Sequence, residues 1–377
     1  MGPSNRETFE QLRCKVAATV DHAALASSPW LAACTARLSR WPPFIRFALA
    51  ASFEAIFDAG CPGSPAPSRE SAAEQVAAAM RALSVPSSRF GASIGAGMGS
   101  SADIAEVGRL VATGSVRRLS PYFVPGVLVN MPSGLVSLEL GLRGPNLAAA
   151  TACAAGAHAI AAAFDAIRLG QADAMIWCVA LHVQWLWLWA TPHASQAMRP
   201  HLATCATTTL PRAAVAHCSS LPLPCPCHAR SHSPPPTRPR PTPHHIPPCP
   251  LCSGGAESAI DIPALAGFGS LRALAGKYNN SPGEASRPFD VARDGFVMGE
   301  GAGVLVLEEA GRAAARGARV YAELRGAGCS GDAHHITLPP EDGDGAVRCM
   351  EAAMRAAGVR RGEVAYINAH ATSTPDG

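Results

Sequence analysis

The hydrophobic positions of this chain fall into two ordered stretches, separated by one that follows neither a helical nor a strand period. In the first stretch, Phe44, Phe47, Phe53, Ile56 and Phe57 recur at helical spacing within 44–59, and the pattern stops at Gly60, which predicts a packed helix. Phe90 to Gly99 reads as a short buried strand running into a glycine-rich loop. Gly156 to Leu169 is rich in Ala and Ile, carries Phe164 and Ile167 three apart and ends at Gly170, the pattern of a buried helix with a C-terminal stop. Residues 171–176 begin a central strand. In the second stretch, a glycine-rich approach over 293–303 leads into a buried strand over 304–308, and a helix starts at 309–316. A strand is predicted over 320–324, an amphipathic helix over 345–358, and a further strand over 364–368 that delivers His370 at its carboxyl end. Strands alternating with helices predict an α/β fold, in which functional groups sit on loops at strand ends.

The stretch between them, 177–253, breaks the pattern. It holds the run Trp185-Leu-Trp-Leu-Trp189 and then tracts such as Ser233-Pro-Pro-Pro-Thr-Arg-Pro-Arg-Pro241. Proline at that density removes backbone donors and favours solvated extended chain, so this segment is expected to be a disordered insert outside the packed fold. Ordered pattern resumes almost in register at Gly254, which suggests translated non-coding sequence. Cys225, Cys227, His228, His232, His244, His245, Cys249 and Cys252 offer zinc-type ligands, but the prolines around them argue against a structural zinc module. The apolar run 174–190 is short for a membrane span and contains His182 and Gln184, so stable membrane insertion is not expected.

Composition narrows the function. Charged residues make up 16% of 377, and the net charge of +3 is small and unclustered, which argues against nucleic acid or an anionic membrane as the main partner. Thirteen cysteines in a chain of this size, with no N-terminal signal of an apolar core, fit a reducing compartment better than secretion. Residues 1–30 carry Glu7, Glu10 and Asp21, acids that transit peptides usually avoid.

The candidate chemistry centres on Thr151-Ala-Cys-Ala-Ala-Gly156. This hexapeptide sets Cys153 on a small-residue turn before a helix, where unpaired N–H groups and the helix dipole favour the thiolate. Cys153 is a candidate nucleophile; the same residues also suit a buried structural cysteine. Gly95, Gly97 and Gly99 depart from the dinucleotide-binding spacing, so they are expected to serve tight turning beside the site instead. His158 is expected to pack on the helix, and His334 and His335 to lie in a loop.

Around Cys153 stand Leu119 to Met131, Gly141-Leu-Arg-Gly-Pro-Asn146, Gly254-Gly-Ala-Glu257, Gly267-Phe-Gly269, Arg287-Pro-Phe-Asp290, Arg293 to Gly303 and Asn368-Ala-His-Ala-Thr-Ser-Thr-Pro375. In this order they resemble the β-ketoacyl-acyl-carrier-protein synthases, especially the type II elongating condensing enzymes of the thiolase-like superfamily. The resemblance implies a layered αβαβα fold of two similar halves. The first half would comprise 1–176 and 254–317, interrupted by the 177–253 insert, and the second, incomplete half 318–377. It further implies decarboxylating Claisen condensation of an acyl thioester with malonyl-acyl-carrier protein. In that reaction Cys153 would be acylated, its pKa lowered by the helix start and nearby imidazole, and His370 would donate to the enolate. Thr372 and Thr374 would contact the phosphopantetheine arm, and Phe268 would lie near the acyl pocket.

No metal or other cofactor is implied, since the substrates ride on the phosphopantetheine of the carrier. The expected partners are acyl carrier protein and a second copy of the chain in a homodimer. The expected location is a mitochondrion or plastid in a eukaryote and the cytoplasm otherwise. The family normally has Gly at the position of Ala371, so a methyl there is expected to strain the turn if φ is positive. The family's second catalytic histidine, its supporting lysine and a second oxyanion donor find no counterpart before Gly377. The chain is therefore expected to be weakly active, or a catalytically inactive dimerisation partner.

Overall fold

The computed structural model describes residues 3–35, 38–179 and 255–375. Its strands are β1 (Ala17–Ala18), β2 (Phe90–Ile94), β3 (Asn146–Leu147), β4 (Ala174–Val179), β5 (Ala256–Glu257), β6 (Met298–Gly299) and β7 (Gly301–Glu308). The helices that frame them are α1 (Pro43–Gly60), α2 (Ala72–Leu83), α3 (Ser101–Ala112), α4 (Met131–Leu140), α5 (Ala155–Arg168), α6 (Ile262–Ser270), α7 (Ala310–Ala315) and α8 (Asp344–Ala357). The chain is mixed α/β, as its pattern predicts.

The central sheet has the order β3-β2-β4-β7-β5, with β2 parallel to β3 and β4, and β7 antiparallel to β4 and β5. Alternate residues serve opposite faces. Phe90, Ala92, Ile94, Ala174, Ile176 and Val304 join the core under α1 and α4, whereas Met175 and Leu307 pack with Ile160 and Phe164 of α5. The Ser93 hydroxyl, on the α5 side, donates to the Ala159 carbonyl at 3.0 Å. Helices thus cover both faces, and the buried strands are apolar nearly throughout.

β4 and β5 share one lane of this sheet. Ile94 pairs with Cys178 and Gly95 bridges Gly255, while on the other side Val179 meets Gly303 and Ala256 meets Ala302. Gly303 N–H donates to the Gly255 carbonyl at 3.2 Å. The chain that leaves at 179 therefore returns at 255 to the same line of hydrogen bonds. Residues 177–179, the start of the predicted 177–253 insert, belong to β4 instead, because β2 and β7 supply their hydrogen-bond partners; the rest of that stretch up to 254, with the zinc-type Cys/His tract and the tryptophan run, lies outside the described residues.

Individual residues explain the helix limits. α1 runs through Gly60 rather than stopping before it, because α2 crosses there: a Cβ on Gly60 would sit 2.5 Å from the Ala79 carbonyl oxygen. Gly170, with φ +68°, follows α5 as the left-handed stop that the sequence predicts. Glu309 caps α7 by accepting from Arg312 N–H at 2.8 Å. Buried Glu308 holds Arg316 through contacts of 2.7–3.1 Å, and Arg316 also donates to the Ala59 carbonyl, joining the end of α7 to α1.

Two predicted strands do not form. Apart from a single bridge residue at Glu323, 320–324 carries no ladder, and 364–368 carries none either. Both have strand-forming composition, but no neighbouring strand among the described residues supplies the hydrogen-bond partners that a strand requires. Tyr366 and Ile367 are 70% and 50% exposed, as residues of an unpaired segment would be. The segment 322–327 instead lies on α5, where Ala322, Leu324 and Ala327 join the Ile160 and Phe164 cluster. α8 forms over 344–357, one residue from its predicted span, and packs closely on Gly326 and Gly328. A third cluster gathers Leu265, Leu274, Ala275 and Met298 with Cys14 and Val16, beside the parallel pair β1 and β6. Among the described residues, no helix is long and apolar enough to cross a membrane.

Candidate active site

Cys153 lies in a turn of 3₁₀ helix, Ala152–Ala154, that leads directly into α5. The turn is strained at Ala152, which holds φ at +48°, a region that L-residues other than glycine seldom occupy. His158 Nδ1 lies 2.8 Å from the Thr151 hydroxyl and fastens the turn to the first turns of α5. Cys153 itself is exposed.

Its thiol pKa is raised, against the expectation of a lowered one. Desolvation by the protein around the sulfur is the leading cause, and the Glu257 carboxylate adds to it; the residue's own backbone N–H acts in the opposite sense.

The glycine-rich loop packs on this turn by close approach rather than by unusual dihedrals. A Cβ on Gly95 would lie 2.3 Å from the Ala155 carbonyl oxygen, and one on Gly97 would lie 3.2 Å from both the Ala152 carbonyl oxygen and Glu257 Oε2. Neither glycine has positive φ. Glu257, only 5% exposed, accepts from the N–H groups of Gly97 at 2.9 Å and Met98 at 3.0 Å through one oxygen. Its other oxygen accepts from Ser258 N–H at 3.3 Å. Burial pushes its pKa up to about 7, while those three N–H donors pull the other way.

The 370–375 motif is anchored to the segment 287–295. Ser373, 1% exposed with φ +67°, accepts from Arg287 N–H at 3.0 Å with its hydroxyl and from Gly295 N–H at 2.9 Å with its carbonyl. Arg293 donates to the carbonyls of Thr374 at 2.8 Å and Pro375 at 2.7 Å. Gly295, at φ +147°, sits where a Cβ would come 2.4 Å from the Leu274 backbone, so no other residue fits there. The hydroxyls of Thr372 and Thr374 are 2.9 Å apart, His370 is half-buried, and Ala371 has φ +21°, on the positive side that its glycine-like place in the motif implies.

Phe268, on α6, stands edge-to-face with Phe296 at 5.4 Å between ring centroids. Both pack on the third cluster together with Met98, whose N–H is held by Glu257. The Cys153 turn thus connects through Glu257 and Met98 to the cluster of Phe268 and Phe296, and that cluster adjoins Gly295 and the 370–375 motif. The sequence motifs contain Glu257, Ser373 and Arg293 but assign them no role. A carboxylate ending a Gly-Gly-Ala run, and a serine framed by two threonines, were the signals available.

Among the described residues, no group of three or more His, Cys, Asp or Glu side chains could hold a metal ion. The sequence matches the N-terminal domain of the β-ketoacyl synthases over residues 3–206 and 251–313, and their C-terminal domain over 321–377. It is 39% identical to the mitochondrial 3-oxoacyl-[acyl-carrier-protein] synthase of Arabidopsis thaliana over 377 residues, covering 98% of this chain and 60% of that protein. It is 37% identical to 3-oxoacyl-[acyl-carrier-protein] synthase 2 of Rhizobium meliloti (strain 1021), over 88% of this chain and 56% of that one. The crystal structure of a β-ketoacyl synthase from Burkholderia phymatum STM815 superimposes with a TM-score of 0.67 at 26% identity, covering 99% of this chain and 67% of that one. The chain thus spans about three-fifths of the length of the curated relatives it matches. With both domain profiles matched in order around the Cys153 turn and the 370–375 motif, the chain belongs to the β-ketoacyl synthase family.

Proposed function

We propose that this chain carries the acyl-accepting site of a 3-oxoacyl-[acyl-carrier-protein] synthase that elongates fatty acyl chains. The observation that carries the reading is the strained Ala152–Ala154 turn at the head of α5, which presents an accessible thiol beside a loop of close-packed glycines. Small neighbours leave the sulfur open to a thioester. The thiolate of Cys153 attacks the acyl carbonyl, the carbon–sulfur bond to the carrier breaks, and the carrier thiol leaves with a proton. Malonyl thioester then loses carbon dioxide, and the electron pair left on carbon becomes an enolate that accepts a hydrogen bond from His370. That carbon attacks the acyl-Cys153 carbonyl, whose oxyanion is held by backbone N–H groups, and the thiolate of Cys153 departs. Thr372 and Thr374 bind the phosphopantetheine arm, and Phe268 borders the acyl chain.

The substrates arrive on acyl carrier protein, the site needs no further cofactor, and the chain pairs with a second copy. In a eukaryote it works in a mitochondrion or plastid, and otherwise in the cytoplasm. The test is loading: incubation with acyl-carrier protein and peptide mass spectrometry should find the acyl mass on Cys153 and none in Cys153→Ala. Acyl groups elsewhere, or on no residue, would refute the assignment. The raised thiol of Cys153 favours one other reading, a subunit that pairs with an active synthase without accepting acyl groups itself. A carrier-independent complex with no adduct on Cys153 would establish it.

A further inference from the structure

Glu257 is a carboxyl group almost out of reach of solvent, and the proposed chemistry gives it no part. Its surroundings are built for it. One oxygen receives both N–H groups of the Gly97–Met98 turn, and the other receives Ser258 N–H. Gly97 in turn lies between that carboxylate and the carbonyl of Ala152, the residue whose φ of +48° strains the cysteine turn. β5, which carries Glu257, is fixed by pairing to β7, so the carboxylate sits on the sheet and not on a loop.

The geometry points to Glu257 as a positioning residue of the Cys153 site: its carboxylate clamps the glycine turn that supports Ala152 and Cys153, and its negative charge restrains the reactivity of the thiol. The inference rests on the reading of Cys153 as the acyl acceptor. The groups that face Glu257 are the backbone donors of Gly97 and Met98 in the glycine loop and of Ser258 just after β5, with the Cys153 thiol as the ionisable group that feels its charge. A negative charge close to a thiol disfavours thiolate, and the low-dielectric surroundings of a buried carboxylate strengthen that effect. Such an arrangement keeps the sulfur largely protonated until a substrate or a proton neutralises the clamp.

Glu257→Gln removes the charge while its amide oxygen can still accept both loop N–H groups, and it gives up only the longer Ser258 contact, because its NH₂ cannot accept from that N–H. The experiment follows iodoacetamide alkylation of Cys153 by peptide mass spectrometry between about pH 6 and pH 10, with thermal unfolding of the same proteins. Glu257→Gln should alkylate about three- to tenfold faster at a fixed pH below the thiol pKa, with its rate profile displaced to lower pH and its melting midpoint lowered less than that of Glu257→Ala. Glu257→Ala should lower the midpoint, since the N–H groups of Gly97 and Met98 lose their acceptor. A wild-type rate profile in Glu257→Gln, or a slower one, would overturn the charge role; an unchanged midpoint in Glu257→Ala would overturn the clamp. Loading by acyl-carrier protein is measured separately. A wild-type chain that alkylates at Cys153 but takes no acyl group would sink the acyl-transfer reading, and the alkylation profile would still judge Glu257.

Discussion

Ser373 shows how much one side chain between two better-known neighbours can carry. Its hydroxyl answers Arg287 N–H in a position with almost no solvent access. Ser373→Ala leaves that donor unanswered and should cost about 1–2 kcal/mol in denaturant unfolding, whereas an exposed serine would cost almost nothing. The glycines beside Cys153 make the opposite case, in which an added atom does the damage. Gly95→Ala drives a methyl into the Ala155 carbonyl at the start of α5 and should destabilise the chain by about 1–3 kcal/mol, with altered Cys153 alkylation as the local readout. Gly63, which has open space around it, should tolerate an added methyl group sterically and would report only the strain of its positive φ.

At the scale of elements, β4 and β5 form a single line of the sheet interrupted by the chain between them. Both Val179 and Gly255 meet Gly303, so joining Cys178 directly to Gly255 leaves every described backbone pairing of that lane in register. A variant lacking residues 179–254 should fold to the same sheet, with a melting midpoint equal to or above that of the full chain, because closing a long loop costs entropy that a direct join does not. Loss of cooperative unfolding in that variant would show that the segment is part of the fold. The residues predicted as strands at 320–324 and 364–368 teach a complementary lesson. Their composition suits a sheet, yet a strand exists only when another lies beside it, and no periodicity within a segment reports on its neighbours.

For the whole molecule, the buried carboxyl of Glu257 couples folding to pH. Its pKa rises from 4.5 to about 7 on burial, so between those values the folded chain keeps a proton that the unfolded chain has released. Stability contributed by this group is therefore present below about pH 4.5, declines as pH rises through that window and is lost above about pH 7. The melting midpoint of the wild type should fall more between about pH 5 and pH 8 than that of Glu257→Gln, and equal slopes would contradict the assignment. The helices α1, α5 and α8, the strands β2, β4 and β7, and the motifs holding Cys153 and His370 were legible because each is a local pattern of apolar spacing or a contiguous run of residues. The role of Gly60, the shared lane of β4 and β5, and the partners of Ser373 and Glu257 were not, because each depends on residues far apart in the chain.

By itself, the sequence determined the α/β class, the positions of α1, α5, α7 and α8, the family resemblance and the candidate thiol, since these follow from periodicity and from motif order along one dimension. Only the tertiary structure decided that the thiol is made less acidic. Desolvation around the sulfur and the carboxylate of Glu257 on β5 disfavour the thiolate and outweigh the backbone N–H that favours it. Electrostatics depends on distance through space, and that distance is set by packing rather than by position in the chain.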